Sequence, residues 1–215
     1  SWADQALYES GLSPNSLATA KQYFDAMRTE VAAGQYLDLL AQHRAVADFN
    51  LAQTVLELKA AKYTVERPLN IGAALAGASA EVQSALSAYG LPIGVAFQLR
   101  DDLLGVFGDS NVTGKPAGDD LREGKQTRLL AYALSHLAQT DARELTGLVG
   151  NKQLPDEQLE RARELITASG SVAVIESDIS QLHSAAISAL SHAEISEAAV
   201  AALTELAWVA TQREK

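Results

Sequence analysis

Asp101 and Asp102 are adjacent carboxylates within the segment Phe97-Gln98-Leu99-Arg100-Asp101-Asp102-Leu103-Leu104-Gly105. On a helix, Gln98, Asp101, Asp102 and Gly105 fall at spacings of three, four and seven, so they share one stripe. The apolar residues around them should hold that helix against a core, and the polar stripe should then line a cavity or an interface. Adjacent carboxylates on a rigid helix suit a hard divalent cation such as Mg2+. That ion prefers oxygen ligands, keeps some of its waters and takes further ligands from substrate phosphates. A glycine-rich stretch follows at once and carries Lys115, Asp119, Asp120 and Lys125. Carboxylates and metal on one side, with lysines on the other, would clamp a diphosphate and stabilise it as a leaving group. An isolated Asp-Asp pair is most often a solvated face or a salt-bridge partner, Arg100 can simply pair with a nearby carboxylate, and Gly-Lys is common in loops. The ordered set is far more specific than any of its parts.

The elements that must position these groups read as helices. Leu17, Ala20, Phe24, Met27 and Val31 step by three or four within 16–42, and Leu51, Val55 and Leu58 repeat the pattern. Val82, Leu86, Tyr89, Ile93, Phe97, Arg100 and Leu104 continue it through Pro92. That proline lacks a backbone donor and clashes with the preceding turn, which predicts a kink or break near residues 88–90. Later helices are expected over 127–139, 156–168, 172–192 and 197–212. No stretch alternates with period two and no hairpin signal joins two β-branched runs, so the fold class is all-α. The stretch 108–124 reads as a functional loop and 147–155 as a shorter break, with no confident domain boundary at either.

Composition narrows the function. The 215 residues are 47% hydrophobic and 20% charged, which fits a folded domain. Seventeen basic residues against 27 acidic ones give a net charge of −10, so a nucleic-acid partner is disfavoured. There is no cysteine, which excludes disulfides and thiolate metal sites and suits a reducing, cytoplasmic compartment. The longest apolar run, near 71–80, is too short to span a membrane. Gly108 to Lys115 is no phosphate-binding loop of the Gly-x4-Gly-Lys-[Ser/Thr] type, because the spacing and the following Pro116 are wrong. His43, His136, His183 and His192 lack metal-ligand spacing, and Trp2 and Trp208 are expected to pack in a core or an interface.

The string from Phe97 to Thr127 resembles the second aspartate-rich region of trans-isoprenyl diphosphate synthases, the polyprenyl synthetase family, especially the actinobacterial-type geranylgeranyl diphosphate synthases. Ala33-Gly34-Gln35-Tyr36-Leu37-Asp38 is similar to the family's Gly-Gln-x-x-Asp segment, and the stretch from Leu58 to Pro68 to the helix that carries its Lys-Thr pair. The resemblance implies an all-α bundle of the isoprenoid synthase type, working with Mg2+ as a homodimer. It also implies a reaction, the condensation of an allylic diphosphate with isopentenyl diphosphate after metal-assisted ionisation. Carried over by position, Asp101 is the leading metal ligand with Asp102 beside it, and Asp120 supports the metal's water shell. Lys59, Lys115 and Lys125 hold the allylic diphosphate, and Gln98 points into the same cavity. A non-catalytic, prenyltransferase-like subunit and a terpene cyclase are the competing readings.

Three departures from the family pattern matter. Gly105 stands where a third aspartate is common, which removes one potential ligand. Ala60 stands where Thr or Ser is common, so one diphosphate hydrogen bond is lost or supplied by another group such as Thr64. The first aspartate-rich motif and its paired arginines occur nowhere in these residues. The expectation is therefore that residues 1–215 form a single partial helical domain, the C-terminal two-thirds of a larger one. Product length is not legible, because the residues that set it lie near the first motif.

Overall fold

The computed structural model describes residues 2–42, 48–108, 118–191 and 193–212, and among these there are helices and no strand. They run in the order α1 (Trp2–Tyr8), α2 (Pro14–Gln42), α3 (Phe49–Leu56), a π-helix (Glu57–Glu66), α4 (Arg67–Leu75) and α5 (Ala80–Phe107). Then follow α6 (Asp119–Glu123), α7 (Arg128–His136), α8 (Gln139–Leu148), α9 (Asp156–Ala168), α10 (Ser171–Leu190) and α11 (Glu197–Gln212). Two elements differ from the periodicity reading. The stretch 108–124 contains the short helix α6, and the helix expected to run to 139 ends at His136, with α8 starting anew at Gln139.

α5 is the axis of the bundle, with the π-helix, α4, α6, α7, α10 and α11 packed around it. Ser79 caps its start by accepting a hydrogen bond from the Val82 amide. It then runs unbroken for 28 residues, so of the kink or break expected near residues 88–90 the break does not occur. A mid-helix proline costs about 3 kcal/mol. Burial of Leu86, Tyr89, Ile93 and Leu99 on the same helix, each worth about 1.5–3 kcal/mol, more than offsets that. The C-terminal half of α5 (Val95, Leu99, Leu103, Val106) meets Leu129 of α7, Leu165 of α9 and Ile175 and Ile179 of α10 in the main core. Its N-terminal half packs Tyr89 and Ile93 against Leu190 of α10 and Ala207 of α11. The buried Tyr89 hydroxyl donates to the Leu203 carbonyl at 2.7 Å, and burial pushes its pKa up to about 12.

On the other side of α5, the segment that carries Lys59 is a π-helix, with the Arg67 amide reaching back five residues to the Lys62 carbonyl. Two glycines let its backbone be gripped from both sides. A Cβ at Gly34 of α2 would lie 2.7 Å from the Lys59 nitrogen, and one at Gly94 of α5 would lie 2.5 Å from the Ala61 Cα. An ion cluster closes the same joint. Glu30 of α2 accepts from Lys62 at 2.9 Å and from both Nε and Nη2 of Arg67, at 2.7 and 2.6 Å.

The fold narrows some sequence expectations. Trp2 is 90% and Trp208 60% exposed, so neither packs in the core of this chain. His183 contacts Thr211 and the edge of Trp208, and His136 stacks on Tyr132, which are packing and surface roles. His43 and His192 lie outside the described residues. No helix among those described is long and apolar enough to cross a membrane.

The hydrogen bond from Arg67 holds Glu30 below the ordinary glutamate range, against the opposing effect of burial. Its contribution to stability is therefore complete above that ordinary range and is lost as pH falls through the lowered value. Glu30→Gln is expected to cost about 1–3 kcal/mol at pH 7 in denaturant melts. The gap between variant and wild type should shrink as the pH is taken below the lowered value.

Candidate active site

A cavity of about 270 Å³ opens between α2, α3, the π-helix, α5 and the start of α7. Its polar lining includes Asp38, Lys59, Thr64, Gln98, Asp101, Asp102, Lys125, Thr127 and Arg128, and Ala52, Val55, Leu56 and Ala60 supply an apolar side. The stripe expected on α5 therefore does face a cavity. Arg100, on the opposite side of the helix, forms a bidentate pair with Glu176 of α10 and donates to the Thr211 carbonyl of α11. These contacts fix the rotation of α5 about its axis and with it the direction of Asp101 and Asp102.

Asp102 is only 3% exposed. One of its oxygens accepts from Gln98 at 2.9 Å and from Lys125 at 2.8 Å. Gln98 also reaches Asp101, at 3.4 Å. Lys125 donates in addition to Asp120 at 3.1 Å, so its ammonium bridges two carboxylates. Burial pushes both aspartates above their ordinary range, with the charge of Lys125 pulling the other way. For Lys125 burial disfavours the charge, but Asp102 and Asp120 outweigh it and the pKa ends above the ordinary lysine value.

Local folding explains how Asp120 and Lys125 arrive there. α6 ends at Gly124, whose φ of +74° turns the chain so that the Lys125 amide bonds back to the Asp120 carbonyl. Asp120 in turn needs Gly105. A Cβ at position 105 would overlap the Asp120 carboxylate, so the glycine one turn beyond Asp101 is the cradle into which Asp120 folds. Here a carboxylate from α6 fills the space over Gly105.

Across the cavity, Lys59 pairs with Asp38 of α2 at 2.6 Å. Asp38 is the aspartate of the Gly-Gln-x-x-Asp segment, to which the resemblance assigns no role in the site. Its signal lies in the spacing, since Gly34 and Asp38 are four apart and present one face of α2 to Lys59. Gln35, between them, is exposed. The Thr64 hydroxyl donates to the Ala60 carbonyl at 2.7 Å, so its proton is not offered to the cavity. Arg128 also lines the cavity, and no motif points to it. Lys115 lies outside the described residues, as does most of the loop that carries it.

The donor set fits a hard cation held partly by the protein. Among the described residues no group of three or more acidic or histidine side chains forms a closed metal cage. Asp102 and Asp120 are already committed to Lys125. Asp101 lines the same cavity, and a cation there would draw its other ligands from water and phosphate oxygens, as Mg2+ favours.

The family model for polyprenyl synthetase matches residues 5–166. The geranylfarnesyl diphosphate synthase of Aeropyrum pernix is 36% identical over 169 residues, covering 79% of this chain and 52% of that protein. The geranylgeranyl diphosphate synthase of Saccharolobus solfataricus is 34% identical over 167 residues, 76% of this chain and 50% of its own length. The crystal structure of geranylgeranyl pyrophosphate synthase from Corynebacterium glutamicum, complexed with isoprenyl diphosphate and magnesium, superposes with a TM-score of 0.95 at 44% identity. That match covers 99% of this chain and 60% of the other. The chain thus spans about half the length of these curated relatives.

The Gly105 cradle is open to a double-mutant cycle. Gly105→Ala should destabilise the protein by about 1–3 kcal/mol through overpacking. The cost should fall by about 1 kcal/mol or more when Asp120→Ala is combined with it, as measured by chemical denaturation.

Proposed function

This chain belongs to the polyprenyl synthetase family, and on that premise we propose that it serves the condensation of an allylic diphosphate with isopentenyl diphosphate. The product we propose is geranylgeranyl diphosphate, made with Mg2+ by a homodimer in the cytoplasm. The reading is carried by one observation: Lys59 and Lys125 line a single cavity with Asp101, each held by a carboxylate that a bound anion could replace. The product rests on the likeness to the Corynebacterium and Saccharolobus enzymes. The dimer and the compartment rest on the family resemblance.

The residues divide the work. Lys59 and Lys125 exchange their carboxylate partners for phosphate oxygens and hold the diphosphate at opposite walls. Gln98 fixes Asp102, and Asp102 with Asp120 keeps Lys125 charged and aimed until the substrate arrives. Asp101 is the residue that would hold Mg2+, with water and phosphate completing the shell. When bound, that ion would neutralise the diphosphate and make it a better leaving group. The apolar side at Val55 and Leu56 shelters the adjoining hydrocarbon from water. Lys115 is proposed as a further diphosphate ligand on the resemblance alone.

The test is turnover of isopentenyl diphosphate with an allylic diphosphate and Mg2+, using the longest form of the protein that its gene encodes. A longer prenyl diphosphate and released pyrophosphate are expected. Asp101→Ala should lower the rate about a hundredfold or more with helicity unchanged by circular dichroism. Wild-type rates in that variant would remove Asp101 from the site. Diphosphate binding without any turnover would favour the non-catalytic subunit instead.

A further inference from the structure

We propose that Arg128 is a third diphosphate-binding cation of the cavity, handed over from Asp178 to the anion when it binds. The inference rests on the diphosphate reading above and adds a residue that the family motifs do not contain. Arg128 opens α7, directly after Lys125-Gln126-Thr127, and lines the cavity together with Lys59 and Lys125. Its side chain is 12% exposed. Nη2 donates to Asp178 of α10 at 2.5 Å, and the guanidinium lies over the Phe49 ring of α3, 4.7 Å from its centroid. The Nε–H is buried with no acceptor, so the pair with Asp178 leaves the guanidinium incompletely satisfied.

Three features favour transfer over a fixed strut. Asp178 is 28% exposed, so water can take over its carboxylate when Arg128 leaves. The side chain has room to move, because it also borders a second cavity of about 410 Å³ alongside Asp178, Gln181 and Leu182. Phe49 holds the face of the guanidinium and leaves its N–H edge to turn toward phosphate oxygens, where the planar fork binds bidentately. The N-terminus of α7 reaches the same wall, Thr127 and Arg128 both lining it, and adds the positive end of its dipole. Lys59, Lys125 and Arg128 then surround the diphosphate, and each arrives from a carboxylate partner.

Calorimetric titration of the protein with inorganic pyrophosphate in MgCl2 separates transfer from a structural role through the sign of one variant. Arg128→Ala should weaken binding about tenfold, with Arg128→Lys in between. Asp178→Asn removes the competing carboxylate and should tighten binding about threefold. The double variant should bind like Arg128→Ala. If Arg128 were only a strut between α7 and α10, both single variants would weaken binding or leave it unchanged, and a weaker Asp178→Asn with intact helicity overturns the proposal. Wild-type binding that Lys59→Ala abolishes and Arg128→Ala leaves unchanged overturns the role of Arg128 alone. Absence of wild-type binding overturns the diphosphate reading and this inference with it.

Discussion

The pairing of each cavity cation with a carboxylate is the interaction on which the site depends. Lys59 faces Asp38, Lys125 bridges Asp102 and Asp120, and Arg128 faces Asp178. Charges gathered in a partly dry cavity repel one another strongly at low dielectric, so three cations could not be collected there unless neutralised. The carboxylates hold the cations in place, and Asp102 and Asp120 keep Lys125 charged against its burial. They also set a threshold, because an anionic ligand must compete with them, which favours a multiply charged anion over a singly charged one.

The rest of the fold serves that arrangement. Opposed pairs need backbones held at fixed separations, and the π-helix provides one side by being clasped between α2 and α5 where Gly34 and Gly94 lack side chains. The Glu30–Lys62–Arg67 cluster locks the same joint away from the cavity. α5 carries the opposite wall, and Arg100 ties its back to α10 and α11, so the C-terminal helices hold the orientation of Asp101 and Asp102. Gly105 lets a carboxylate from another helix complete the cluster.

Helical spacing was enough to read the class of fold and the stripe Gln98, Asp101, Asp102, because a 3.6-residue period determines which side chains share a face. At Pro92 the same reasoning allowed a kink or a break, and the break does not occur because the local penalty is outweighed by burial that only the assembled bundle provides. It does not reach the pairing of Asp38 with Lys59 or of Arg128 with Asp178, because the partners are 21 and 50 residues distant. It counted Gly105 as a lost ligand, since nothing in the spacing shows that Asp120 folds back over it. The π-helix was equally hidden, being a property of the packing on either side of residues 57–66 rather than of their order.

The exchange of carboxylate for phosphate at the lysines is the central claim, and it is visible directly at their side-chain nitrogens. Proton–nitrogen correlation spectra of the lysine ammonium groups should show slowed proton exchange for Lys59 and Lys125 in the free protein, as expected for ion-paired groups. On addition of pyrophosphate with Mg2+, both signals should move together and saturate at one equivalent, while the exposed Lys21 stays still. If the Lys59 and Lys125 resonances remain unchanged at saturation, the cavity does not bind a diphosphate through these groups and the account is contradicted.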